Sequence, residues 1–364
     1  MRFLLDDAHR EFARSLDGML TAAGTPGVVR AWSRGDHAPG RALWSRLAEA
    51  GVFALAVPER HEGLGPLPVE LAVTFTELGR HAVPGPLVEA VAAAALLGFL
   101  DRRGEDPTAT AWLPRIASGK AVLSLCVPAA GGPYALDPDA ADAVLVVADD
   151  TLRLAESTGP VQPSADPARR LARPLGGAVL ARGPAVVAAA AYAADIAALA
   201  TAAQCLGLGR ALLDRTVAYV KQRTQFGVPV GSFQAVKHRL ADTLIALEFA
   251  QPLLHSAALA LARETAAHVS AASGGAAGGG AAGGDAAGGD AVRAGDPVST
   301  AHEIAAAKAA AGEAAYGAAR TALQLHGAVG YTEELDLSLW IRKARPLRDA
   351  WGTPTTCRAR ILPP

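Results

Sequence analysis

A 35-residue stretch, Ala189 to Arg223, reads AAAYAADIAALATAAQCLGLGRALLDRTVAYVKQR and contains no proline. Its alanine and leucine content predicts one helix over most of that length, about 50 Å at 1.5 Å per residue. Alanine on so many faces favours neighbouring helices packed at close range, so the chain must supply other long helices. Phe233 to Thr265 is one. It carries Val236, Leu240, Leu244, Ile245 and Leu247 as an expected apolar stripe, and Pro252 implies a kink. IAAAKAAAGEAAYGAARTALQLHG is another, preceded by Thr300-Ala-His-Glu303 in a capping-box pattern. A last helix is expected over roughly 334–345.

The first 120 residues also read as helical. Phe3, Leu4, Phe12, Leu16 and Leu20 recur at mostly helical spacing, and GRALWSRLAEAGVFAL forms a second amphipathic segment that Gly51 ends. A Gly/Pro loop leads to two further helices broken around Pro84–Pro86. From 121 the character changes. AVLSLCV, DAVLVVADDTLRLAE and GGAVLARG are short, β-branched and bounded by Gly, Pro and Asp. The expected organisation is α+β in three parts: a helical domain over 1–120, a small β-domain over 121–186 and a helical bundle over 187–364. Residues 266–298, rich in Gly and Ala with three aspartates, read as a flexible linker inserted between two antiparallel helices.

Bulk properties exclude several functions. Lys+Arg 34 against Asp+Glu 35, with 5% aromatics, offers neither a polyanion-binding charge nor a base-stacking platform. Cys126, Cys205 and Cys357 are far apart, so neither a zinc knuckle nor a disulfide framework is indicated. The acidic start MRFLLDDAHREFARSL lacks a signal-peptide pattern, and no long uninterrupted run of strongly apolar residues suggests a membrane span. These features lead to the expectation of a soluble cytoplasmic protein.

RTQFGVPVGSFQAVKHRLADT (223–243) and LQLHGAVGYTEELDLSLWIRKA (323–344) resemble the acyl-CoA dehydrogenase family in motif, order and spacing. The resemblance implies FAD, the α+β fold of an N-terminal helical domain, a central β-domain and a C-terminal four-helix bundle, and assembly through that bundle. Arg223 would reach the FAD of a neighbouring subunit, its fork suited to a pyrophosphate; otherwise it is a helix-terminus cation. Phe226 would pack beside adenine or ribose, or else belong to the core. Gln234 and Gln324 would hydrogen-bond the cofactor. Gly327 and Gly330 would let backbone approach the dinucleotide, or would simply end a helix. Thr353 matches a residue whose hydroxyl and amide approach the flavin, and equally suits a turn cap.

The family reaction takes an α-proton and a β-hydride from an acyl-CoA thioester, and a Glu accepts the proton. Both family positions for that Glu are empty. In LRDAWGTPTTC (347–357) Trp351 stands before Gly352-Thr353, where the indole donates one hydrogen bond but takes no proton near neutral pH. On the first bundle helix the second position is Ala197. Asp195, two residues away, falls on the opposite face. Trp351 either packs the core or occludes the acyl tunnel. The β-domain stretch LCVPAAGGPYALD keeps Pro128, Gly131 and Gly132 but has lost the hydroxyl and acids that hold a flavin ring in the family.

A catalytic turn without a base resembles one subunit of the heteromeric actinobacterial acyl-CoA dehydrogenases of the steroid-side-chain type, in which only one kind of subunit carries the Glu. Three functions follow as alternatives. The chain is a base-lacking dehydrogenase subunit that completes a FAD site with a homologous partner, acting on an acyl-CoA or carrier-bound thioester. It is instead a self-sufficient flavoenzyme with changed chemistry, or a non-catalytic scaffold binding a thioester or a partner.

Overall fold

The computed structural model describes residues 5–101, 106–274 and 297–362. Six helices come first: α1 (Asp7–Ala22), α2 (Thr25–Ser33), α3 (Ala38–Glu49), α4 (Pro68–Arg80), α5 (Leu87–Leu100) and α6 (Pro107–Ala117). Their starts follow local chemistry. Asp6 accepts from the His9 amide at the head of α1, and Asp106 accepts from the Thr108 and Ala109 amides at the head of α6. Proline occupies the first turn of α2, α3, α4 and α6, where its missing N–H leaves no bond unmade. Leu16 and Leu20 of α1 are buried as expected; Phe3 and Leu4 lie outside the described residues. Helix α5 differs from the rest. Every residue from Leu87 to Leu97 is buried, Glu89 included, and the helix packs between the C-terminal bundle and the sheet.

The β-region comprises β1 (Leu123–Cys126), the single turn α7 (Pro128–Gly131), β2 (Ala135–Leu136), β3 (Ala143–Ala148), β4 (Thr151–Leu154), β5 (Ser157–Thr158), β6 (Leu171–Ala172), β7 (Pro174–Leu175) and β8 (Ala178–Arg182). A four-stranded sheet runs β1-β3-β4-β8, with β1 parallel to β3 and the other pairs antiparallel. Strand β1 is buried at every position because α5 covers it. The remaining strands pair in two short ladders, β2 with β6 and β5 with β7.

The C-terminal part holds α8 (Pro184–Gln222), the hairpin β9 (Thr224–Gln225) and β10 (Val228–Pro229), then α9 (Gln234–Gly274), α10 (Pro297–His326), α11 (Leu337–Asp349) and α12 (Pro354–Ile361). Helices α8, α9 and α10 pack side by side, and α11 lies against α8 and α10. The expected α+β architecture of helical domain, small sheet and helical bundle is therefore the one observed. Helices α8 and α9 are long and apolar enough to cross a bilayer by length and composition, yet α8 is enclosed by α4, α5, α9 and α10.

Details depart from the sequence reading. Helix α9 continues to Gly274, past the expected start of the linker at 266, and residues 275–296 lie outside the described residues. Helix α10 begins at Pro297, so Thr300 is inside it and buried rather than capping it. Its capping-box partner Glu303 instead accepts a hydrogen bond from Ser256 of α9. The apolar stripe of α9 is split. Leu247 is buried, whereas Leu244 and Ile245 join Phe249 and Leu253 on an exposed apolar face. Helix α12 had no expectation; it owes its start to Thr353, whose hydroxyl accepts from the Thr356 amide at 3.1 Å, and to Pro354 at the next position.

The N-terminal domain is seated on the bundle by a backbone-to-backbone crossing of α4 and α8. A Cβ on Gly79 would lie 2.1 Å from the Gln204 carbonyl oxygen, and one on Gly207 would lie 1.8 Å from that of Thr76. Both neighbours are main chain, so neither can swing away. Replacing Gly207 by Ala is expected to force the two helices apart and to destabilise the protein by about 1–3 kcal/mol, read as a lowered urea midpoint with unchanged slope.

Candidate active site

The terminal turn is held by a buried lysine. Lys308, in the middle of α10, has no exposed surface, and its ammonium donates to the carbonyls of Leu347, Arg348 and Gly352 at 3.3, 2.7 and 3.0 Å. Leu347 and Arg348 carry orphan carbonyls at the end of α11, where a cation is also favoured by the helix dipole, and Gly352 belongs to the turn that follows. Burial pushes the ammonium below the usual lysine range. The chain then reverses through Trp351 at φ 51° and Gly352 at φ 120°. A left-handed tryptophan costs roughly 1–2 kcal/mol, so its neighbours must over-determine it. A Cβ at Gly352 would come within 3.0 Å of the Cys357 sulfur. Thr353 is exposed and spends its hydroxyl on capping α12, the second of the two roles open to it.

Trp351 is buried, and its indole Nε1 donates to Glu89 Oε1 at 3.0 Å. The ring lies over the α7 turn, such that a Cβ on Gly131 would sit 3.4 Å from it. Beside the indole is a cavity of about 360 Å³, lined by Glu89, Val127, Gly131, Gly132, Tyr134, Arg169, Arg345 and Asp349 among others. The family-matched turn, the end of β1, the head of α5 and the end of α11 thus meet at one hollow.

Glu89 was missed in the sequence. Its one signal was a single acid within the apolar run LVEAVAAAALL. It is 4% exposed, its Oε2 has no partner among the described residues, and burial raises its pKa above the usual carboxylate range, opposed by the nearby charge of Arg169. Behind it Glu89, Asp137, Arg169, Gln204 and Lys343 surround a second, water-sized hollow of about 20 Å³. Asp137 Oδ1 accepts from the Arg170 amide at 2.9 Å, and Oδ2 has no partner at hydrogen-bond distance among the described residues. Burial pushes the group up to about 7, opposed by the Arg170 amide, the Arg169 charge and the nearby Trp32 indole. Lys343 is engaged with Asp166 at 2.8 Å, which ties α11 to the β-region. Arg169 makes no side-chain hydrogen bond or ion pair among the described residues, so its charge is uncommitted at the wall of both hollows.

The other two acid positions are closed. Ala197 is buried in the middle of α8, and Asp195 is ion-paired with Arg360 of α12 at 2.7 Å. Cys126, Cys205 and Cys357 are all buried free thiols.

The remaining expected cofactor residues gather elsewhere, at one end of the bundle. Arg223 ends α8, donates to the Tyr219 hydroxyl and forms no ion pair among the described residues. Tyr219 stacks on His326 at 4.0 Å, next to Gly327. Gly327 is exposed at φ 64° with open space where a Cβ would be, so backbone there is approachable. Gln324 is exposed on the same helix end, and Gln234 is exposed at the head of α9. Phe226 is 90% exposed and lies edge-on to Phe233. An aromatic left in water beside an unpaired cation is not core. Gly330 departs from this group: it is buried, and a Cβ there would crowd Leu323 and His326, so it serves helix-end packing.

Residues 6–120 match the N-terminal domain family of the acyl-CoA dehydrogenases, and residues 187–276 and 286–362 match their C-terminal domain family. The chain belongs to the acyl-CoA dehydrogenase family. Acyl-CoA dehydrogenase IpdE2 of Mycobacterium tuberculosis (strain ATCC 25618 / H37Rv) is 32% identical over 341 residues, covering 92% of this chain and 90% of the relative. Among solved structures, a chain of the ChsE4–ChsE5 complex from Mycobacterium tuberculosis superposes with TM-score 0.77 at 22% identity, covering 99% of this chain and 98% of that one. A Tcur3481–Tcur3483 steroid ACAD variant superposes with TM-score 0.72 at 23% identity over 98% and 96%. The acyl-CoA dehydrogenase family and fold expected from the two motifs are both found.

Asp137 yields a pH test. Its pKa is raised in the folded chain, so the stabilisation is complete below about 4 and is lost as pH rises through about 7. Asp137→Asn keeps the acceptor for the Arg170 amide and cannot ionise. The stability difference between D137N and the parent is therefore expected to move in favour of the variant from about pH 5 to about pH 8, measured by thermal melts at both.

Proposed function

We propose that this chain is a subunit of a FAD-dependent acyl-CoA dehydrogenase that works together with a homologous subunit, its own family Glu being absent. The observation that carries the reading is a division within one chain. The edge of Arg223, Phe226, Gln234, Gln324 and Gly327 is exposed and, among the described residues, gives Arg223 no counterion, while the base position in the terminal turn holds an indole. A fork-shaped cation without a counterion, next to backbone that a ligand can approach, fits the anionic middle of a dinucleotide. On this reading Arg223 and Gly327 face a FAD seated mainly in the partner, whose own Glu takes the α-proton there. FAD, when bound, supplies the hydride acceptor. The exposed Leu244, Ile245, Phe249 and Leu253 of α9 support burial of that face against another bundle, since a contiguous apolar stripe is costly in water. The thioester is CoA- or carrier-bound, and the setting is the cytoplasm.

Purification tests this. The chain alone is expected to be colourless and without dehydrogenase turnover. Co-expressed with a Glu-bearing homologue, it should co-purify yellow and oxidise a saturated acyl-CoA. Arg223→Ala in this chain should weaken FAD retention by the pair by about ten- to a hundredfold, as expected for loss of charge-assisted hydrogen bonds. A yellow homomer that turns over by itself would refute the reading.

A further inference from the structure

Glu89 is the only charged residue of α5, a helix otherwise made of Leu, Val, Ala, Gly and Phe. A carboxyl in such a place is normally fully bonded or paired. Here one oxygen is held by Trp351 and the other has no partner among the described residues. The side chain fronts the larger cavity together with the indole that occupies the family's base position. Arg169 lines the same wall and is not paired with Glu89 or any other acid among the described residues. Carboxyl and cation thus line a common space close enough to feel each other's charge but without a direct ion pair, an arrangement suited to a reacting group between them.

We propose that Glu89 is the proton acceptor of this chain's own cavity, its Oε2 taking the α-proton of an acyl thioester seated beside Trp351. The inference rests on the thioester reading above and concerns this chain's cavity rather than the partner's flavin. In the step, the α C–H bond breaks and its proton forms an O–H bond on Glu89. The bonding pair becomes the new Cα–C π bond, and the carbonyl π pair moves onto oxygen to give an enolate. The positive charge of Arg169 offsets that developing oxyanion. Reversal returns a proton from Glu89 to Cα, so the cycle needs no oxidant. Trp351 acts as the positioning residue: its N–H fixes Oε1 and leaves Oε2 buried at the cavity wall without a hydrogen-bond partner among the described residues.

The test isolates proton transfer from redox chemistry. A 3-thia acyl-CoA has acidified α-hydrogens and sulfur in place of the β-carbon, so no hydride can leave. The full-length chain, purified by itself, is incubated with it in D2O. α-Deuterium incorporation is followed by mass spectrometry, and binding by equilibrium dialysis. The parent is expected to bind and exchange. Glu89→Gln, which preserves the acceptor for the indole, should bind within a few-fold and exchange at least about a hundredfold more slowly. Glu89→Asp, which keeps a carboxyl on a shorter arm, should exchange at least about tenfold faster than E89Q. If E89Q exchanges like the parent, or E89D equals E89Q, the role of Glu89 is overturned and the thioester reading stands. If the analogue does not bind the parent, the thioester reading falls and the inference falls with it.

Discussion

The close crossing of α4 and α8 sets the geometry on which the rest depends. Gly79 and Gly207 let two backbones meet without intervening side chains, so the N-terminal helices sit directly on the bundle. That contact fixes α5 against α8, and α5 in turn covers β1. Glu89 therefore enters the space between sheet, bundle and terminal turn from a helix that contributes almost nothing but packing elsewhere. A looser α4–α8 interface would move Glu89 away from Trp351, since the two are joined by one hydrogen bond across three structural units.

A second set of buried charges holds the turn in place. Lys308 caps the end of α11 from below, and Lys343 pins the other side of that helix to Asp166. Burying an ammonium is expensive unless all its hydrogens find acceptors. Lys308 meets three carbonyls, so the turn cannot open without leaving a buried charge unsolvated. The strained backbone of Trp351 is the counterpart of that clamp.

The two candidate regions differ in kind. The Arg223 edge is exposed, unpaired and carried by a helix end and a short hairpin, which suits a partner or a ligand shared with one. The Trp351 cavity is set into the protein and lined by the Glu89 carboxyl and Arg169, while Asp137 lies on the smaller hollow behind Glu89. One chain thus combines an outward-facing cationic edge with a cavity that has a buried carboxyl at its wall.

Helix lengths, the β-block between them and the two family motifs were legible because they rest on local signals: alanine content, β-branching, and fixed spacing of Arg, Phe, Gln and Gly. That Trp351 and Ala197 stand where the family resemblance would put a Glu was an expectation from register alone. Other features were decided by tertiary structure. Thr300 looks like a cap, yet the helix begins earlier; Gly330 looks like a ligand glycine, yet it is buried against its own helix. Glu89 lies 262 residues from Trp351 in sequence, and no periodicity links a lone acid in an apolar helix to a distant turn. Its meaning comes from desolvation and from the indole beside it, and both exist only once helix, sheet and turn are packed together.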